Sequence, residues 1–368
     1  MRPSNPYQIA TTILTLLLSI VPLSHGAATN STSPKRGLCY IATDNSASDS
    51  NIFTRPNSPL TWYYNYSPWP GPSGSLTQWN TEFVPMVHSA KDAAASVDTI
   101  KSILNGSAGI PIAGAGRNNG GGGGGRNRIS HVLTFNEPDG DTSSGGSDSS
   151  PEHAAQVYID TVLPLRAAPY NLQISPPATT GSGNGLDWLR SFNTSCFKLR
   201  PAGGCPFDFV AAHWYGDFAG MASWLGTLHD LYPAKPIWVT EFAIPSADET
   251  ATTSFFNESL PYLDGLAYVA RYAWFGAFRS SGDDANEWTG QEVSLFDDDG
   301  RLTLLGAEYL GGEKDGFREG ESASSSSGSS NSAAAVAPPA WFPAANSPWS
   351  ILCLLLTWSV ATTSSWLL

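Results

Sequence analysis

Basic residues are scarce in this chain. Lys and Arg number 19 against 32 Asp and Glu in 368 residues, for a formal net charge of −13 and a pI near 4.8. A surface of this sign excludes nucleic acid and anionic surfaces as partners and suits a neutral polymer or an acidic extracellular medium. Cysteine is also rare, at four residues, and no Cys/His spacing matches a zinc site. The first strand-like run lacks the Gly-rich phosphate turn of a dinucleotide fold. No metal and no cofactor are expected.

Two apolar runs lie at the ends. Arg2 precedes Ile9 to Leu23, a stretch short for a bilayer span, and small residues follow at Ser24, Gly26, Ala27 and Ala28. This predicts a secretory signal peptide over 1–26, cleaved near Gly26 or Ala28. At the other end a Ser/Gly/Ala-rich stretch, 313–340, leads into an apolar tail, 341–368, with no Lys or Arg after it. A stop-transfer segment usually ends in basic residues, so the pattern predicts a glycosylphosphatidylinositol signal with attachment between Gly328 and Ala335. The expectation is an extracellular protein at the cell surface or wall, a monomer that meets the membrane only through its lipid anchor. Between the ends, 35–312 forms one domain, near the ~250 residues of a (β/α)8 barrel.

Secretion gives the cysteines a pairing. Cys196 and Cys205 are close in sequence and flank a Pro-Gly-Gly turn, so they predict a disulfide in an oxidising compartment. Cys353 belongs to the tail, and Cys39 is left as a buried thiol. Asn-x-Ser/Thr acceptors at Asn30, Asn65, Asn105, Asn193 and Asn257 agree with secretion, although Asn65 is placed in the cleft.

Strand-like and helical runs alternate. Strands are predicted at 37–43, 60–66, 82–88, 129–135, 172–175, 207–213, 236–241 and 271–277. Helices are predicted at 92–104, 151–168, 186–192, 221–231 and 259–269. Ser150-Pro151-Glu152 is a cap followed by Pro at the first helical position. Alternation implies βαβ units, and eight strands fit a single α/β (β/α)8 TIM barrel. Gly120 to Gly125 is a flexible insertion before the fourth strand.

Two carboxylates end two of these strands. Glu137 follows Val132-Leu133-Thr134-Phe135-Asn136, and Glu241 follows Ile237-Trp238-Val239-Thr240. Chemistry in parallel barrels sits at the C-terminal strand ends. Strands four and seven face each other across the mouth, so the pair fits the ~5–5.5 Å separation of a retaining glycosidase. A one-residue slip would turn either Glu into the wall. His213 and Tyr215, ending strand six in His213-Trp214-Tyr215, are placed to hydrogen-bond the nucleophile. His213 has no second His near it in sequence, so it is not read as a metal ligand. Trp62, Tyr64, Trp69, Trp214 and Trp274 are candidate sugar platforms, with half of the strand-two aromatics expected to be core. Trp69, between Pro68 and Pro70, is the best exposed candidate, and Trp274 is a candidate floor.

An ordered set of motifs then resembles fungal glycoside hydrolase family 128, the alkali-sensitive-linkage type. The set is Trp62-Tyr63-Tyr64-Asn65, Glu82-Phe83-Val84-Pro85-Met86, Phe135-Asn136-Glu137-Pro138-Asp139, Ala212-His213-Trp214-Tyr215, Trp238-Val239-Thr240-Glu241-Phe242 and Ala273-Trp274-Phe275. Ser294-Leu295-Phe296 and Gly300-Arg301-Leu302-Thr303 close it. The resemblance implies a retaining endo-β-1,3-glucanase acting on cell-wall glucan. It makes Glu137 the acid/base and Glu241 the nucleophile, with Asn136, His213 and Tyr215 in support. Tyr64, Asn65, Trp69 and Trp274 would line sugar subsites. The chain departs from the family's pattern in the glycine tract and at Tyr66, where the family often has Trp. A β-1,3-glucan transglycosylase using the same residues, or a silent wall-binding protein, are the alternatives.

Overall fold

The computed structural model describes residues 34–71, 81–109, 129–281 and 287–326. The expected signal segment, the glycine tract, the expected attachment region and the apolar tail lie outside them. Nine strands are described: β1 Gly37–Cys39, β2 Trp62–Tyr64, β3 Glu82–Phe83, β4 Met86–Val87, β5 His131–Asn136, β6 Gln173–Ala178, β7 Val210–Tyr215, β8 Ile237–Ala243 and β9 Val269–Trp274. The helices are α1 Ser46–Asp49, α2 Ala93–Leu104, α3 Pro151–Val157, α4 Gly183–Leu199, α5 Phe218–Leu231, α6 Glu249–Gly265 and α7 Leu304–Tyr309. Among the described residues no helix is long and apolar enough to cross a membrane.

Every strand pair is parallel, as the alternation predicts. The ladders form three sheets among the described residues, β1-β2-β3, β4-β5-β6 and β7-β8-β9, instead of the single closed ladder expected. The expected third strand is interrupted between β3 and β4. Pro85 lies in that gap and has no N–H to donate to the ladder, though its carbonyl still accepts from Leu133. Single bonds join other edges: Asp208 N–H donates to the Ile174 carbonyl, and Tyr272 N–H to that of Lys35.

Local sequence explains the helix ends. Ser150 Oγ accepts from the His153 N–H with Pro151 at the first helical position, and Ser182, Asp217, Asp248 and Thr303 cap four other helices in the same way. The helix expected to reach 168 instead changes pitch. α3 ends at Val157, a π turn covers Tyr158–Val162, and a 3₁₀ turn covers Leu163–Arg166. Pro164 lies within that last turn and cannot donate an α-helical bond.

Alternation places His131, Phe209, Trp238 and Arg271 on the inner face. The Trp238 ring lies 4.0 Å from Phe209, 4.7 Å from His131 and 5.3 Å from Trp62, with the Arg271 guanidinium 4.0 Å above it. Glu82 ties this layer together. Its Oε1 is 2.6 Å from Ser130 Oγ and 2.6 Å from His131 Nδ1, and its Oε2 accepts from Arg271 at 2.6 Å. These residues stand at the N-terminal halves of their strands, so a charged, aromatic layer lies at the end away from Glu137 and Glu241. Gly37 is required there, because a Cβ would fall 2.2 Å from the Trp62 indole.

The expected disulfide joins Cys196 in α4 to Cys205, and Cys39 is a buried free thiol. A bridge spanning nine positions removes unfolded-chain entropy worth roughly 2.5 kcal/mol. Cys196→Ser with Cys205→Ser is therefore expected to lose about that much stability in urea unfolding, with the parallel sheets intact by circular dichroism. An unchanged midpoint would show that the bridge constrains little.

Candidate active site

Glu137, His213 and Glu241 converge at the C-terminal ends of β5, β7 and β8. One ligand atom from each lies within 4.8 Å of the others. His213, fully buried, stands between the carboxylates: Nδ1 is 2.8 Å from Glu137 Oε1 and Nε2 is 3.3 Å from Glu241 Oε1.

A bulge brings Glu241 into the group. Trp238 faces inward, so strict alternation would put Glu241 on the outer face. Instead β7 pairs Ala212 with Val239 and then His213 with Glu241, skipping Thr240. On the other side β9 pairs Tyr272 with Val239 and then Trp274 with Phe242. The extra residue lets Glu241 turn inward beside His213. β5 is irregular too, with two shifts in its register against β6. Phe135 and Glu137 take φ of 35° and 39°, rare for residues with a side chain. Strain of this kind collects at functional sites.

Glu241 is almost fully buried and held by phenols. Tyr66 donates to Oε1 at 2.7 Å and Tyr215 to Oε2 at 2.7 Å. Tyr64 donates to the Thr240 carbonyl at 3.0 Å and lies 3.3 Å from Glu241 Oε1. Burial raises all three phenol pKa values well above their usual range, so they act as donors. Burial is also the largest influence on Glu241. With the negative charge of Glu137 it outweighs His213, Tyr215 and Tyr66, and the net direction is upward. Burial opposes charge on His213, but Glu241 and Glu137 outweigh it and raise the imidazole. The spacing would admit a divalent cation, yet Glu137 Oε1 and both Glu241 oxygens already have imidazole or phenol partners.

The remaining expected residues fall into two groups. Asn136 is buried beside Glu137 and donates to the Gly145 carbonyl at 3.1 Å. Asn65 donates to the Trp69 carbonyl at 2.8 Å, which fixes the loop that leaves the Trp69 indole 40% exposed. Trp62 and Trp274 are corrections. Trp62 is fully buried within the inner layer and presents no face to a sugar. Trp274 is paired with Phe242, so it shares Phe242's outward direction, packs on Phe256 of α6 and donates its indole N–H to the Val293 carbonyl. Its neighbour Phe275 lies beside Tyr215 instead, at 5.5 Å. Trp214, opposite in parity to His213, donates to the Asp217 carbonyl at the start of α5 and does not join the group.

Tyr66 was missed as a site residue. Its signal was the Tyr64-x-Tyr66 spacing, although its φ of 60° is set only by the fold. Cys39 Sγ lies 3.1 Å from the Tyr66 hydroxyl. His88 was also missed, although it lies close enough to Glu137 and Asp92 to feel both charges.

Residues 37–309 match the family profile described as glycosyl hydrolase catalytic core. Alkali-sensitive linkage protein 1 of Schizosaccharomyces pombe is 30% identical over 291 residues, covering 76% of this chain but 45% of that protein, so the chain spans under half the length of this relative. Among solved structures, a family 128 subgroup II endo-β-1,3-glucanase from Pseudomonas viridiflava is similar at 26% identity and a TM-score of 0.56, over 76% of this chain and 98% of that one. A subgroup III curdlan-specific exo-β-1,3-glucanase from Blastomyces gilchristii, in complex with glucose, is similar at 26% identity and 0.54, over 76% and 99%. The chain thus belongs to the glycosyl hydrolase catalytic core family, with a glycoside hydrolase family 128 domain.

Proposed function

We propose that the protein is a retaining endo-β-1,3-glucanase of the cell surface, with Glu241 as nucleophile and Glu137 as acid/base. The observation that carries this is the convergence of Glu137, His213 and Glu241 within 4.8 Å. Retaining enzymes hold their carboxyls ~5–5.5 Å apart and inverting ones ~6.5–9.5 Å, so carboxylate oxygens within 4.8 Å of each other support the retaining reading. The substrate class rests on the similar enzymes, both of which act on β-1,3-glucan. We also propose that the three sheets correspond to one (β/α)8 barrel, which the inter-sheet bonds at Asp208 and Tyr272 support.

Glu241 attacks the anomeric carbon, and the bond to the leaving chain breaks as Glu137 gives its proton to the glycosidic oxygen. Glu137 then takes a proton from water, whose oxygen bonds to the same carbon as the bond to Glu241 breaks. His213, with Nδ1 2.8 Å from Glu137 Oε1, orients that carboxyl for both half-reactions. Tyr66 and Tyr215 hold the attacking carboxylate ionised and oriented.

Losing one phenol removes a hydrogen bond to a charge, worth about 1.5–3 kcal/mol. Tyr66→Phe and Tyr215→Phe are each expected to lower kcat/KM roughly 10–100-fold. Hydrogen bonds to the ionised form lower a carboxyl pKa, so their loss moves the acid limb of the pH profile upward. A uniform fall in rate with no movement of the limb would assign the phenols to packing.

A product time course on linear β-1,3-glucan tests the function. Short oligosaccharides throughout are the expected result. Glucose alone from the outset would make the enzyme exo-acting, and products longer than the starting chains would make it a transglycosylase. Cleavage of a different β-glycan would keep the Glu pair and discard the substrate. For the anchor, release from intact cells by a phosphatidylinositol-specific phospholipase is expected, and retention would count against it.

A further inference from the structure

Trp288 is 57% exposed, more than any other large hydrophobic residue among those described. The machinery above gives it no role. Its ring stands edge-on to Tyr215 at 5.3 Å and 65°, and Tyr215 is the phenol on Glu241 Oε2. Phe275 meets Tyr215 from another side at 5.5 Å and 80°.

The backbone that follows Trp288 is anchored. The Thr289 carbonyl accepts from the Ser246 N–H at 2.8 Å, and Thr289 is buried. Gly290 turns the chain at φ 84°, and Val293 is fully buried with its carbonyl on the Trp274 indole. An exposed indole next to an anchored segment, beside a residue that touches the attacking carboxylate, presents a flat apolar face at the site's edge. The C–H face of a glucosyl ring is apolar and fits such an electron-rich surface. Trp69 offers a second exposed indole three residues beyond Tyr66, the other phenol on Glu241.

We infer that Trp288 is a stacking platform for a glucosyl ring beyond the one under attack, making it a determinant of chain-length preference. This rests on the glucanase reading above. Trp288→Ala is expected to raise KM about tenfold for a β-1,3-linked hexasaccharide, with at most a twofold effect on an aryl β-glucoside, and Trp288→Tyr to restore most of the loss. The same tenfold weakening is expected in the Kd of the hexasaccharide, read by calorimetry in a Glu137→Gln background.

Equal losses on the long and short substrates would overturn the inference and assign Trp288 to supporting Tyr215. So would an unchanged KM and Kd. The parent protein's own binding separates the two readings. If it binds a β-1,4 or β-1,6 hexasaccharide in place of the β-1,3 one, the substrate is wrong and the Trp288 comparison is made on the bound sugar. If it binds none of the three, both readings fall.

Discussion

Glu241→Gln is expected to lower kcat on β-1,3-glucan by about 10⁴-fold or more, the scale on which removing a covalent nucleophile acts. Glu137→Gln is expected to cost roughly 10²–10⁴-fold, because general acid–base help is the smaller contribution and a good leaving group needs none of it. The two roles separate by rescue. With an activated aryl β-glucoside, Glu241→Ala leaves the anomeric carbon open to azide from the nucleophile's side, giving the α-glucosyl azide. Glu137→Ala still forms the glycosyl-enzyme, which azide then intercepts from the opposite face, giving the β-product. Reversed stereochemistry would exchange the assignments. Full activity in both variants would refute them.

Glu82→Gln is expected to cost about 3–5 kcal/mol of stability, because it leaves the Arg271 charge buried without its partner. The effect carries a pH signature. Burial would raise the Glu82 carboxyl, but the His131 hydrogen bond and the Arg271 charge outweigh it and lower it from 4.5 to about 2. A carboxyl lowered on folding stabilises the protein above its unfolded value, and that share is lost as pH falls through the folded one. The share is worth roughly 3 kcal/mol, present above pH 4.5 and gone near pH 2. Urea unfolding of parent and variant at pH 7, 4.5 and 2.5 should therefore give a difference that narrows toward acid. A constant difference would mean that Glu82 acts through packing alone.

The carboxylate pair and the parallel strands were legible because each depends on neighbours in sequence. An apolar, β-branched run forms a strand wherever it is buried, and a Glu closing it lies at that strand's end. Cys196 and Cys205 were legible for the same reason, being nine positions apart. The sugar platforms were less so. Trp274 and Phe275 are both aromatic, and only the pairing of Phe242 with Trp274 shows which faces out. Trp62 reads as a surface aromatic until Trp238 and Gly37 are found against it. Trp288 lies in no motif, and its place beside Tyr215 comes from a turn 73 residues along the chain.

The sequence by itself determined an acidic chain of alternating strands and helices with Glu137 and Glu241 at strand ends, since composition and strand periodicity are local properties. Tertiary structure decided which way those ends face. Alternation from Trp238 would have sent Glu241 outward, and the bulge at Thr240 turned it toward Glu137. A bulge is a mismatch between two strands, and no single strand's sequence carries it.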